Sequence, residues 1–286
     1  MTSPRIIDIR SRPAFLHDFY GATPGSPGWD TARWLNRRVG SHDDRHFERS
    51  YTLDGFIAEI LAAGITAATL IGRDTPGVST SNDTVATLVR GRPELIGIGS
   101  VDALRLPADA VVAEIERVQA LGLRGLNIEP GFGSPPMAFD DPRLEPVYET
   151  SQRLRLPVFL MTGPTTPDLQ FNDPAAIGRV ARRHPDLPLV ISHGAWPRVD
   201  EIIGVAFRYA NVHLAPDMYL FLPGGRLYLE AVNSFLAGQF LFGTSFPFRA
   251  MRQTVDDFLA LGLHERVLGP VLHDNAARLL GLPLAE

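Results

Sequence analysis

Short apolar runs alternate with amphipathic segments along almost the whole chain, and this alternation limits the possible fold more than any other feature. From residue 67 onward the apolar runs recur about every 30 residues, the length of one β-strand followed by one α-helix. The runs are continuously apolar, as expected for parallel strands that are covered on both faces. The chain contains eight such units. The pattern predicts an α/β protein with a (β/α)8 TIM barrel.

The length of 286 residues agrees with this architecture, because one barrel of about 250 residues uses nearly all of it. We therefore predict a single domain over residues 1–286. The predicted strands lie at 6–9, 67–71, 95–101, 125–128, 158–161, 189–191, 212–214 and 240–242. The predicted helices lie at 53–63, 82–89, 108–121, 144–154, 174–183, 199–209, 227–236, 254–261 and 276–280. An open, doubly wound sheet is the alternative, although no Gly-x-Gly-x-x-Gly follows the first strand.

The first connection, residues 11–51, is much longer than the others and holds Trp29 and Trp34. A long connection inside a compact domain usually has a function. It is expected to be either a lid over the barrel mouth or an arm that contacts a second copy in a homo-oligomer.

The composition excludes several classes of function. The chain has no cysteine, which rules out disulfides, thiolate nucleophiles and Cys-ligated zinc. A net charge of −5 gives no global attraction to nucleic acid. No apolar run is long enough to span a membrane, and the first ten residues carry charges where a signal peptide would be apolar. We expect a cytoplasmic protein whose partner is a small molecule.

Polar residues follow most of the predicted strands, at the end of the barrel where such enzymes perform their chemistry. They are Arg10, Arg12, Arg73, Asp74, Asp102, Glu129, Thr162, Ser192, His193, Asp217, Tyr219, Thr244 and Ser245. A barrel with a purely structural role would not need such a ring, so the ring predicts a site.

Five segments make the sequence similar to a known family. They are IDIRSR at 7–12, LPVFLMTG at 156–163, VISHG at 190–194, LFGTSFP at 241–247 and NAARLL at 275–280. In this order and at barrel spacing, they resemble the amidohydrolase-related family, which includes metal-dependent decarboxylases and lactone hydrolases. The resemblance covers nearly the whole chain.

The family's metal ligands are mostly replaced in this sequence. The first strand of the family normally ends Asp-x-His-x-His, and its two histidines fall on Arg10 and Arg12. The other ligand positions fall on Met161, His193 and Ser245. Arginine has no lone pair to give a metal. We therefore expect no metal ion and no other cofactor.

The two arginines suggest a replacement for the cation. Arg10 and Arg12 alternate with Ser11, so on an extended strand end they point the same way, and their planar forks suit carboxylate oxygens. We expect them to bind a substrate carboxylate. In the alternative interpretation they form a structural bridge to Glu129 or Asp217.

His193 is the main catalytic candidate, because it follows a predicted strand at the family's active position. Nearby guanidinium groups would keep its imidazole neutral and able to act as a general base. In the alternative interpretation, it is retained from ancestry and only hydrogen-bonds its neighbours. Asp217 could orient its ring, although a helix-cap role is equally open. The other candidates for substrate binding are Arg73, Glu129, Thr162, Trp196, Tyr219 and Ser245. Glu129 could instead pair with an arginine, and the aromatic residues could simply pack.

The resemblance and these residues together predict a metal-independent hydrolase that acts on a small carboxylate-bearing substrate or lactone. One alternative is a decarboxylase or lyase of an unsaturated or aromatic acid. Another is a catalytically inactive barrel that binds a ligand, since loss of metal ligands also accompanies decay.

Overall fold

Seven parallel strands form one curved sheet in the same order as they occur in the chain. The computed structural model describes residues 5–284. The strands are β1 Ile7–Asp8, β2 Ala67–Ile71, β3 Leu95–Ser100, β4 Leu126–Ile128, β5 Val158–Met161, β6 Leu189–Ser192 and β7 Val212–Ala215. Each strand pairs in parallel with the next one along the sequence. The predicted parallel α/β architecture is confirmed.

An eighth extended segment closes the sheet into a barrel. On one side, the amide of Leu241 donates to the carbonyl of Leu214 in β7 over 2.9 Å. On the other side, the amide of Ile9 donates to the carbonyl of Phe242 over 3.0 Å. The amide of Arg12 donates to the carbonyl of Phe246 over 2.9 Å. The predicted eighth strand therefore has partners on both edges, although its pairing is limited to isolated bridges.

Helices occur at all nine predicted places, and three further helices, at Pro27–Arg38, Arg45–Arg49 and Glu265–Gly269, were not predicted. In chain order the helices are α1 Pro27–Arg38, α2 Arg45–Arg49, α3 Leu53–Ala62, α4 Asn82–Val89, α5 Ala108–Ala120, α6 Glu145–Leu154, α7 Pro174–Arg183, α8 Val199–Arg208, α9 Gly225–Ala231, α10 Met251–Leu259, α11 Glu265–Gly269 and α12 Asn275–Leu280. Short π-helical segments, Val232–Leu236 and Pro270–Asp274, follow α9 and α11. In residues 5–284 no helix is long and apolar enough to cross a membrane.

The apolar strands are buried on both faces, which explains their lack of alternating polarity. Side chains such as Ile9, Ile98, Phe159 and Val190 fill the interior of the barrel. A larger apolar layer lies between the strands and the surrounding helices. This packed interior leaves the carboxyl ends of the strands as the place where a cavity can form.

The long first connection is folded and is not an irregular loop. It contains α1, α2 and two 3-10 turns, Ala14–Leu16 and Asp18–Tyr20. The connection docks on the segment after the eighth strand: the Asn36 side-chain amide donates to the carbonyl of Phe248 over 3.2 Å. One ring nitrogen of His46 lies 2.7 Å from the carbonyl oxygen of Pro247. These bonds hold the connection over the carboxyl end of the barrel.

Candidate active site

A cavity of about 330 Å³ lies between the carboxyl ends of the strands and the connection at 11–51. Its lining residues are Arg10, Ser11, Arg12, Phe19, Tyr20, Thr31, Trp34, Leu35, Arg73, Phe132, Met161, Pro164, Thr165, His193, Met218, Ser245, Phe246 and Phe248. The strands contribute the charged members, and the connection contributes mainly aromatic ones. Five of the predicted site residues, Arg10, Arg12, Arg73, His193 and Ser245, therefore meet in one cavity.

The other five predicted residues lie behind the cavity wall. The hydroxyl of Thr162 donates to the Ser192 carbonyl over 2.5 Å and accepts from the Ala195 amide over 2.8 Å. Tyr219 stacks on Trp196 with ring centroids 5.3 Å apart, and its ring edge meets His193. Glu129 and Asp217 bind lining residues, as described below. Glu129, Asp217 and Tyr219 contact residues that line the cavity, whereas Thr162 and Trp196 contact residues behind the wall.

His193 and Asp217 form a buried hydrogen-bonded pair. Nδ1 of His193 lies 2.8 Å from Oδ1 of Asp217, and the His193 backbone amide donates to Oδ2 over 3.1 Å. Because the carboxylate accepts a hydrogen bond from Nδ1–H, Nε2 keeps its lone pair, and it has no partner among residues 5–284. Burial lowers the pKa of His193, with smaller contributions from Arg10 and Arg12, against the opposing effect of Asp217. The neutral imidazole can act as a general base.

Ser245 has a supporting position beside this pair. Its hydroxyl lies 3.4 Å from Nδ1 of His193, the same nitrogen that binds Asp217. A serine nucleophile is activated by the other imidazole nitrogen. The geometry therefore does not fit a Ser-His-Asp triad.

Arg12 and Arg73 share the buried carboxylate of Glu129. Nη2 of Arg12 lies 2.6 Å from Oε1, and Nε of Arg73 lies 3.0 Å from Oε2. Arg12 also donates to the carbonyls of Ile71 and Gly72 over 3.0 and 3.2 Å. Burial acts to raise the pKa of Glu129, but Arg73, Arg12 and Arg10 outweigh it and lower the pKa to about 2. The structural bridge to Glu129 is thus formed, and Arg12 is its main donor.

Arg10 has no such carboxylate partner in the part of the chain that the structure describes. Its Nη2 lies 3.0 Å from the Met161 sulfur, and its Nη1 is buried without any hydrogen-bond partner in the described part of the chain. Burial and the neighbouring Arg12 lower its pKa to about 10, so the guanidinium is still charged at neutral pH. A buried cation with a free donor in a cavity wall is suited to an anionic ligand.

The sequence did not single out Asp8, which organises the junction between β1 and the eighth strand. Its carboxyl group accepts from the Arg10 amide over 3.0 Å, and from the amide and hydroxyl of Thr244 over 2.9 and 2.5 Å. Burial raises its pKa to about 7. The sequence feature that could have drawn attention to Asp8 is its position as the one charged residue within the apolar strand at 6–9.

Three residues of the site have backbone conformations that are rare for side chains other than glycine. The φ angles are 65° at His193, 44° at Asp217 and 59° at Ser245. Such conformations cost energy and are common at functional sites. They occur here at successive strand ends around the cavity.

This barrel, with its site at the carboxyl ends of the strands, defines the class to which the chain belongs. It is a member of the amidohydrolase family, whose sequence profile matches residues 51–282. No curated protein sequence matches the chain.

Solved structures agree with this assignment. An uncharacterized TIM-barrel protein from Bordetella bronchiseptica is 36% identical, with a TM-score of 0.88 over 97% of this chain and 98% of that one. The 5-carboxyvanillate decarboxylase of Sphingomonas paucimobilis is 18% identical, with a TM-score of 0.67 over 98% and 100% of the two chains. A probable 2-pyrone-4,6-dicarboxylic acid hydrolase from Acinetobacter baumannii is 13% identical, with a TM-score of 0.66 over 97% and 100%. These last two show the fold alone.

The family resemblance implies a divalent metal, but the residues at its ligand positions do not fit one. Arg10, Met161 and Ser245 occupy positions where histidine or aspartate would be needed, and the Arg10 guanidinium lies against the Met161 sulfur. His193 is the one imidazole there. Within residues 5–284 no three His, Cys, Asp or Glu side chains are grouped to hold a metal ion.

Proposed function

We propose that this protein is a metal-independent hydrolase of small substrates that bear a carboxylate, lactones in particular. One observation carries the proposal: the free Nη1 of Arg10 and the free Nε2 of His193 belong to residues that line the same cavity. A buried cation for an anionic group and a neutral base are the two elements that such a reaction needs.

The proposed reaction moves one proton through His193. Nε2 accepts a proton from water while the water oxygen forms a bond to the lactone carbonyl carbon. Arg10, which binds the substrate carboxylate, also brings its positive charge near the carbonyl oxygen that becomes negative, and Asp217 stabilises the imidazolium. The carbon–oxygen bond of the ring then breaks, and the proton passes from Nε2 to the leaving oxygen. The product is an open hydroxy acid.

Decarboxylation is the second candidate, and the aromatic walls of the cavity favour it. Phe19, Phe132, Phe246 and Phe248 line the cavity together with the charged groups. An apolar environment favours loss of charge when a carboxylate leaves as carbon dioxide. The carbon–carbon bond breaks, carbon dioxide leaves, and the carbon takes a proton that His193 relays from water, which becomes hydroxide.

Three activity measurements test the proposal. Metal-free protein is incubated with 2-pyrone-4,6-dicarboxylate, 5-carboxyvanillate and 2,6-dihydroxybenzoate, and the release of acid or carbon dioxide is followed. Ring opening that His193→Asn abolishes supports the hydrolase, and carbon dioxide release supports the lyase. Binding of these acids without turnover identifies an inactive ligand-binding barrel, which would overturn the proposal.

A further inference from the structure

The cavity wall contains two buried polar groups that lack a partner. Among buried side-chain nitrogen and oxygen atoms in residues 5–284, several make no hydrogen bond. Only two of these atoms belong to residues that line the cavity, Nη1 of Arg10 and the hydroxyl of Tyr20. Burial of a polar group without a partner is costly, so both groups are suited to bind a ligand.

Arg12 is poorly placed to share the role of Arg10. Its guanidinium already binds Glu129 and two backbone carbonyls. Arg73 is also engaged, since it pairs with Glu129, donates to Thr75 over 3.1 Å and lies between the rings of Phe19 and Phe132. A substrate carboxylate has two oxygens, and the second one needs another donor.

Tyr20 lies beside the two arginines at the base of the connection. The guanidinium carbon of Arg12 is 5.6 Å from the centre of the Tyr20 ring. The ring is 1% exposed and packs against Phe19 and Phe248. Burial and Arg12 lower the pKa of Arg10, whereas carboxylates and the nearby Tyr20 phenol raise it. Tyr20 and both arginines line the same cavity, and the Tyr20 ring lies against the Arg12 guanidinium.

The backbone holds Tyr20 in this place before any ligand arrives. Gly21 follows it with a φ of 85°, and a Cβ there would lie 2.9 Å from that of Ala32 in α1. The carbonyl of Gly21 is 3.5 Å from both the Tyr51 hydroxyl and the Arg33 guanidinium. A donor that is already fixed loses little entropy on binding.

We propose that Tyr20 donates to one oxygen of the substrate carboxylate while Arg10 binds the other, so that the connection at 11–51 takes a direct part in substrate binding. This inference rests on the proposed function, because it assumes a carboxylate ligand. It assigns Arg12 to support of the site through Glu129 and not to the carboxylate itself.

Titration calorimetry with benzoate and isophthalate tests the proposal on the full-length protein, with benzamide as the uncharged probe. We expect wild type to bind at least one of the two carboxylates and to show no binding of benzamide. Tyr20→Phe should weaken carboxylate binding about 10- to 150-fold, the effect of losing a hydrogen bond to a charged group, and its thermal midpoint should not change. Arg10→Lys should lose affinity for the carboxylate to a similar extent, because an ammonium group cannot replace the planar set of donors of the guanidinium group.

Tyr51→Phe is the matched control. It removes a hydroxyl that supports the same turn but lies outside the cavity lining, so its affinity should equal that of wild type. Arg12→Lys should lower the thermal midpoint, while the affinity of the protein that remains folded should stay near that of wild type. If Tyr20→Phe binds as wild type does while Arg10→Lys does not, the role of Tyr20 is wrong and the proposed function stands. If Tyr51→Phe loses affinity equally, the effect comes from the turn and the proposal is also overturned. If wild type binds neither acid, the carboxylate assignment itself fails.

Discussion

Arg10 and Arg12 are separated by one residue at the end of β1, yet their environments give them different chemistry. Arg12 neutralises the buried carboxylate of Glu129, whereas Arg10 has a thioether beside it and forms no ion pair within residues 5–284. A buried cation without a counterion attracts an anion more strongly than one in an ion pair. The residue type alone therefore does not decide which arginine binds substrate.

The pH dependence of activity should follow His193. The reaction needs the neutral imidazole, and burial lowers the pKa of His193 below its usual 6.5. The acidic limb of the kcat/KM profile should therefore have its midpoint below pH 6.5. Asp217→Asn removes a group that raises this pKa, so it should move the midpoint to lower pH and reduce turnover by about 10²- to 10⁴-fold. A midpoint that rises in this variant would contradict the assigned pair.

Asp8 should make the folded protein less stable as the pH rises. Burial raises its pKa to about 7 from 3.8, so between these values the folded state holds a proton that the unfolded state has released. The stability that Asp8 gives the folded state is fully present below pH 3.8 and is lost as the pH rises toward 7. In urea unfolding, the stability of wild type relative to Asp8→Asn should fall by about 1 kcal/mol per pH unit between pH 5 and 7. If the difference in unfolding free energy between wild type and Asp8→Asn stayed constant from pH 5 to 7, Asp8 would be ionised over that whole range.

At the scale of elements, the first connection depends on close contact between α1 and the Asp18–Tyr20 turn. A Cβ on Gly28, in α1, would lie 2.0 Å from the carbonyl oxygen of Asp18. That distance is far below any normal contact, so only glycine fits there. The turn that carries Tyr20 is thus positioned by a helix.

Gly28→Ala should separate this turn from α1. The clash should cost about 1–3 kcal/mol and weaken carboxylate binding, because Tyr20 moves. Gly204→Ala is the control, since it lies in helix α8 with open space around its Cβ position. That change should stabilise the protein by about 0.5–1 kcal/mol. Chemical unfolding and calorimetry of both variants give the result, and unchanged affinity in Gly28→Ala would contradict the positioning role of α1.

The sequence predicts the strands and outer helices well, because each has a periodic apolar pattern. Helix α3 begins after Thr52, whose hydroxyl accepts a hydrogen bond from the Gly55 amide and so caps the helix. The sequence did not reveal α1 or the site role of Tyr20. These depend on contacts between the connection and distant parts of the chain, such as that of Asn36 with Phe248. It placed Arg10 and His193 at the barrel mouth because they follow directly after strands, and both line the cavity.

At the scale of the molecule, the barrel maintains its site through charge networks of its own residues. Metal-free protein should therefore keep its thermal midpoint and activity after dialysis against a chelator. Elemental analysis should find no stoichiometric zinc, manganese or iron. A bound transition metal whose removal lowers the midpoint would show that the donor set has been misjudged.

The pairing of the eighth extended segment with β1, which closes the barrel, also affects the state of the chain during translation. The Thr244 hydroxyl donates to Asp8 across 236 positions of sequence, and the eighth segment covers the free edge of β1. On the ribosome, β1 is synthesised first and its partner near the end. The nascent chain therefore carries an unpaired strand edge during most of translation, a state that is prone to aggregation. Molecular chaperones that bind this edge would protect the chain until the last strand emerges.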